Sequence, residues 1–229
     1  MNILCFAPFS AAWDLHGYIE MCILQSLREK GCNIIYVFCD ISSDYCYLYL
    51  HGKANCAYCQ QISAAFAAEK NMPYIWLSRF AHADDHSTAK AFVESLSPEE
   101  YPHASYAGKD LGRWVFSTFI SFLRENTFDW HNETHVRVYG SLLVSALETT
   151  LALERLLLQG RYDRVLMFNG RFLPSYILLD MAESKGITCY LHERGSQSDF
   201  MRVVRHDPSS QLHPMDIRPP KKLLMLPLT

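Results

Sequence analysis

The sequence predicts an α/β protein with a doubly wound, mainly parallel sheet and helices on both of its faces. Three observations carry this. A strand, loop, helix, glycine and strand follow one another within the first 40 residues; the same succession returns between residues 141 and 191; and the strands are apolar on both faces, as in a sheet covered on both sides. Two such ends imply one continuous sheet joined by right-handed crossovers.

Asn2 to Pro8 is a compact apolar run, and Phe9 to Gly17 is a loop of small and polar residues. From Tyr18 a helical pattern takes over, with Ile19, Cys22, Ile23 and Leu27 at intervals of three and four and Gly31 as its stop. Asn33 to Asp40 is β-branched and aromatic and reads as a central strand. Cys56 to Lys70 is helical, Tyr74 to Leu77 a short strand, and Ala89 to Leu96 a short helix stopped before Pro98. Ser97 to Gly108, with two prolines, reads as an inserted loop, and Gly112 to Arg124 as an apolar helix. In that helix Trp114, Phe116, Phe119 and Phe122 are core residues rather than a stacking platform, because no basic residues interleave them. Ser141 to Gln159 is a leucine-rich helix ending at Gly160, Asp163 to Phe168 a strand, Leu173 to Lys185 a helix closed by Gly186, and Ile187 to Leu191 a further strand. After Arg194 the periodicity stops, and Pro208, Pro214, Pro219, Pro220 and Pro227 crowd the end. The expected organisation is a folded unit over residues 1–207 and a proline-rich tail over 208–229.

The 229 residues are 49% hydrophobic and 20% charged, ordinary for a globular chain. With 21 Lys and Arg against 24 Asp and Glu the net charge is −3, which speaks against a dedicated nucleic-acid binder. The longest apolar run is Ile34 to Cys39, far short of the roughly 18 residues that span a bilayer. The first residues have neither the basic nor the hydrophobic region of a secretory signal, so a soluble, cytoplasmic protein is expected. Its eight cysteines are too sparse for a secreted disulfide scaffold and are expected to be reduced.

In an open α/β sheet ligands bind outside the carboxyl ends of the strands. Three segments should meet there. The first holds Trp13, Asp14 and His16, just ahead of a helix: His16 can serve as a general base with Asp14 orienting it, or Asp14 can simply cap the helix. The second is Phe168-Asn169-Gly170-Arg171, a tight turn that sets Arg171 at a helix N-terminus to meet an anion, or an ordinary turn with a surface arginine. The third is His192-Glu193-Arg194-Gly195-Ser196 at a strand tip, where Glu193 can bind substrate or pair with Arg171 to tie the two loops.

Cys56-Ala57-Tyr58-Cys59 is a CxxC, but it lies later than a thioredoxin-like motif should. A zinc site needs two more ligands, and although Cys46 and His51 are near, neither falls at a familiar spacing, so helix-start cysteines without metal are expected. His82/His86 and His131/His135 share the i,i+4 spacing of helical metal ligands but sit in polar stretches and read as surface histidines. There is no GxGxxG and no GxxxxGK[ST], hence no dinucleotide fingerprint or P-loop, and no cofactor is expected.

The Asn2-Ile3-Leu4 strand, the loop with Trp13 and His16, the helix ending Ser26-Leu27-Arg28-Glu29-Lys30-Gly31 and the strand up to Asp40 resemble the N-terminal Rossmann-like domain of GT-B type glycosyltransferases. Phe168-Asn169-Gly170-Arg171, the helix to Lys185-Gly186-Ile187, His192-Glu193-Arg194-Gly195 and a CxxC after the second strand are similar to bacterial capsule and surface-polysaccharide biosynthesis proteins of that superfamily. The resemblance covers residues 1–207. It implies transfer of a sugar from a nucleotide-activated donor to a surface glycan, with the acceptor held by this domain and His16 or Asp14 as the base. It also implies substrate contacts for Trp13, Asn169, Arg171, Glu193 and Arg194. The family places the donor nucleotide on a second domain, which the tail beyond Asp216-Ile217-Arg218 does not supply; a nucleotide-sugar donor is therefore expected only with such a domain, and no turnover from this chain alone. The partners expected are a glycan acceptor, no nucleic acid and no bilayer-spanning segment, with peripheral membrane association left open. The alternative is a non-catalytic Rossmann-like module that binds a glycan or nucleotide at the same edge. A thiol redox protein, resting on Cys56 and Cys59 alone, ranks below both.

Overall fold

The computed structural model describes residues 1–8, 14–41, 45–46, 55–194 and 201–209, without the side chains of 14–16 and 194. The chain alternates as the periodicity implies. Strand β1 (Asn2–Phe6) leads to helix α1 (Asp14–Glu29) and β2 (Asn33–Phe38), then α2 (Cys56–Glu69) and the short β3 (Ile75–Trp76). Helix α3 (Asp85–Glu94), the hairpin of β4 (Ser105–Tyr106) and β5 (Lys109–Asp110), α4 (Leu111–Leu123) and the long α5 (Glu133–Gln159) fill the middle. The second half closes with β6 (Arg164–Phe168), α6 (Ser175–Ser184), β7 (Thr188–Arg194) and β8 (Met201–Arg205).

Six strands form one sheet in the order β3-β2-β1-β6-β7-β8, parallel except for β8. This is a Rossmann-like α/β fold. Side chains alternate across each strand, so β1 feeds two cores at once. Ile3 and Cys5 join Met21, Leu24 and Ala67 of α1 and α2 on one face. Leu4 and Phe6 join Leu142, Leu143 and Ala146 of α5 and Ile177 and Leu178 of α6 on the other. Both faces are covered by helices, which is why β1, β2 and β6 carry apolar residues without polar alternation.

Local chemistry sets the ends of the elements. The side chains of Asn55, Asp110 and Asn132 accept from backbone N–H groups in the first turns of α2, α4 and α5, at 3.0 Å to Tyr58 N, 3.1 Å to Arg113 N and 2.9 Å to Thr134 N. At the other end of α1, Cys32 N returns to Leu27 O at 3.0 Å, and Ile187 N returns to Ala182 O at 3.0 Å after α6.

Four readings of the sequence change. Helix α5 begins at Glu133 rather than Ser141, because His135, Val138 and Tyr139 are buried and extend its apolar face. The stretch read as an inserted loop is ordered: Pro98–His103 is a 3₁₀ turn with a Ser97–Glu100 capping box, and Tyr101 and Ala104 sit in the core. Regular structure does not stop at Arg194, since β8 pairs antiparallel with β7, Leu191 opposite Val204. Finally, His135 is not a surface histidine: it is 3% exposed, its ring centroid lies 5.4 Å from that of Phe119, and its Nδ1 accepts from Asp129 N at 3.1 Å.

Candidate functional site

Strand β1 has β2 on one side and β6 on the other, so the connections leaving β1 and β6 diverge at their carboxyl ends. A crevice opens at such a switch point because no crossover covers it. The turn after β6 is built for close approach. Asn169 (φ 56°) and Gly170 (φ 78°) are both left-handed, a conformation that a short polar residue and glycine adopt at little cost. Asn169 N donates to His192 O at 3.0 Å, and Asn169 Oδ1 accepts from Arg171 N at 3.1 Å. Asn169 Nδ2 donates to the Glu193 carboxylate, so the asparagine ties the β6 turn to β7. Arg171 is exposed, its guanidinium 5.7 Å from the ring centroid of Phe172. Beyond it Leu173 N donates to Thr118 Oγ1 at 2.9 Å, which fixes the turn to α4.

The structure thus brings Asn169, Arg171 and Glu193 together at the sheet's carboxyl edge. It changes the setting of the others. Helix α1 starts at Asp14, so Asp14 and His16 belong to its first turn instead of a preceding loop; an acidic residue suits that turn, near the positive end of the helix macrodipole. Helix α6 starts only at Ser175, so Arg171 precedes it by more than a turn's length of chain and is not at its N-terminus. His192, Glu193 and Arg194 are strand residues rather than a loop tip, because β8 extends the ladder past Leu191. Trp13 and the side chains of Asp14, His16 and Arg194 lie outside the described residues.

His192 is completely buried and forms part of a polar cluster under this edge. Its Nε2 lies 2.7 Å from Glu20 Oε2, and Tyr36 donates its hydroxyl to Glu20 Oε1 at 2.8 Å. Glu20 is 2% exposed. The Cys5 thiol is pushed well above its usual range by burial first and the Glu20 carboxylate second, which keeps it a protonated, inert core group. His192 Nδ1 has no hydrogen-bond partner among the described residues. Strand alternation sends His192 to the α1 face and Glu193 to the opposite one.

A cleft partly open to solvent lies at the carboxyl ends of β1 and β2. Pro8 after β1, Asp40 and Ile41 after β2, Thr118 of α4, Ser145 and Thr149 of α5, and Leu173 and Pro174 before α6 contribute to its wall. Four of the eight cysteines, Cys39, Cys46, Cys56 and Cys59, line it as well. Reading the chain alone missed Cys39, Ser145 and Thr149. The one local signal was that Cys39 ends the apolar run of a strand.

His82, Asp84 and Asp85 also converge, within 4.8 Å. Asp85, however, is clamped by Arg155 at 2.6 and 2.7 Å and accepts from His82 N at 2.8 Å, so this group is a structural tie between α3 and α5. Among the described residues no helix is long and apolar enough to cross a membrane. Compared with protein-family models, curated proteins and solved structures, the chain matches none.

Proposed function

We propose that this chain is the acceptor-side domain of a GT-B type glycosyltransferase acting in surface-polysaccharide synthesis, and that it holds a glycan at the carboxyl edge of the sheet. The observation that carries the reading is the grouping of Asn169, Arg171 and Glu193 on a rigid turn beside the β1/β6 switch point. An amide, a guanidinium and a carboxylate on one rim suit sugar hydroxyls, each of which donates and accepts a hydrogen bond. In this reading His16 or Asp14, both in the first turn of α1 at the same edge, takes the proton from the acceptor hydroxyl. Trp13 and Arg194 complete the acceptor contacts, and a nucleotide-sugar donor is held by a second domain.

Calorimetric titration with oligosaccharide fragments of surface glycans and, separately, with UDP-, GDP- and CMP-sugars tests this. Oligosaccharide binding that Arg171→Ala weakens about tenfold, with an unchanged thermal midpoint, is the expected result, since an exposed arginine contributes only about 0–1 kcal/mol to stability. Turnover of a nucleotide sugar by this chain alone overturns the acceptor-only reading. Binding of nucleotides without any glycan favours the non-catalytic module instead.

A further inference from the structure

We propose that Cys39, Cys46, Cys56 and Cys59 form a four-thiolate site for a thiophilic metal, either a single zinc ion or iron in a sulfide-bridged cluster. The site would join the carboxyl end of β2 to the first turn of α2.

Four cysteines converge at one end of the sheet. Cys39 follows the last residue of β2, and Cys56 and Cys59 open α2, three residues apart and therefore on one face of the helix. Cys46 comes from the connection between these elements. All four line the same cleft, and all eight cysteines of the chain are thiols. Spacing alone hides the set, because the gaps of six, nine and two residues within Cys39-x₆-Cys46-x₉-Cys56-x₂-Cys59 match no familiar zinc pattern.

The frame around the thiols is held on both sides. The Asp40 carboxylate accepts from Ser78 N at 2.7 Å and from Ser78 Oγ, while the Asp40 carbonyl accepts from Gln60 Nε2 at 3.3 Å, one residue beyond Cys59. Asn55 caps α2 from the other side. Cys39 and the Cys56–Cys59 turn are therefore tied to each other without any metal, the preorganisation a ligand set needs.

The surroundings of the thiols argue only against a redox role. Burial raises the Cys39 thiol far above its usual range, and neighbouring Cys46 and Cys59 raise it further; Cys59 is raised by burial and then by Cys56. Among the described residues, none that lines the cleft is cationic. A nucleophilic redox cysteine needs a lowered value, so these thiols do not suit thioredoxin-like chemistry. A bound cation reverses the balance, each thiol giving up its proton as its sulfur ligates the metal.

Among the described residues no three of these sulfurs lie within 4.8 Å of one another. Sulfurs on one tetrahedral zinc are about 3.8 Å apart, given a Zn–S bond of about 2.3 Å, so zinc has to draw the side chains inward. An iron–sulfur cluster, itself several atoms across, spans a wider set. With four protein ligands the shell is closed, and the role is to pin β2 to α2 at the wall of the cleft rather than to activate water.

The test is metal and acid-labile sulfide analysis of the full chain purified without oxygen from medium containing zinc and iron. About one zinc per chain is expected, or iron with equivalent sulfide and visible absorption, and these outcomes distinguish the two metals. Cys39→Ser and Cys46→Ser are each expected to lower metal content at least about tenfold, and Cys22→Ser, an exposed cysteine on α1, to leave it unchanged. Cobalt titration of the wild-type protein keeps the proposal testable if the serine variants fail to fold, because the intensity of the thiolate-to-cobalt band counts sulfur ligands. A metal-free protein that takes up no zinc, iron or cobalt overturns the proposal. So does metal retained in full by Cys39→Ser or Cys46→Ser, or a cobalt band from only two thiolates.

Discussion

Glu20 and His192 come from opposite ends of the chain, yet they share one of the least exposed places in the molecule. Two polar groups held there are costly unless each satisfies the other, and removing one strands its partner. Glu20→Ala is therefore expected to lower stability by about 3–5 kcal/mol in urea melts, leaving both His192 Nε2 and the Tyr36 hydroxyl without their partner. The double replacement Glu20→Met with His192→Leu should cost markedly less than the sum of the single changes, because no uncompensated polar group remains. Asp85 gives a pH-dependent counterpart. Arg155 first, and His82 N after it, hold its carboxyl below the usual range of about 3.9. A depressed carboxyl stabilises the fold above its unfolded value, and that contribution fades as pH falls through the folded value. Asp85→Asn should thus cost about 3 kcal/mol at pH 7 and progressively less below pH 4, the two stability curves converging in acid.

At the scale of elements, the packing of α4 against the 3₁₀ turn Pro98–His103 leaves no room for a side chain. A Cβ at Gly112 would lie 2.3 Å from the Pro102 carbonyl oxygen and 2.5 Å from its carbon, both backbone atoms that cannot rotate away. Gly112 N also donates to Ala104 O at 3.0 Å, and Tyr139 donates its hydroxyl to Gly112 O at 2.9 Å. Gly112→Ala is expected to lower the urea midpoint by an amount equivalent to about 1–3 kcal/mol, as overpacking elsewhere does. Polar residues in the segment read as a loop concealed this seam: Glu99, Glu100 and His103 surround the buried Tyr101. The antiparallel β8 was hidden for a related reason. An edge strand needs only one apolar face, and Arg202 and Arg205 among its five residues erase the buried-strand signature that β2 displays.

Across the whole molecule, stability should follow position in the sheet. Strands β1 and β6 are paired on both sides and covered on both faces, whereas β3 is two residues long and β8 is an edge. Amide hydrogen exchange is expected to be slowest at Leu4, Cys5, Leu166 and Met167 and fastest among the strands in β3 and β8. Slower exchange in β8 than in β6 would show that the sheet does not govern the opening of the fold.

The alternation of strand and helix, the two covered faces of the sheet and the glycine-closed ends of α1 and α6 were all present in local pattern, because periodicity and caps depend on neighbours within a few residues. The chain alone also marked Asn169, Arg171 and Glu193, since residues that end parallel strands share one edge whatever the strand order. Strand order itself was not legible. Only the tertiary structure placed β6 beside β1, turned His192 inward to meet Glu20, and gathered Cys39 and Cys46 against Cys56 and Cys59. Contacts of this kind depend on which strands pair and on which face each residue falls, and a shift of one position along a strand reverses that face.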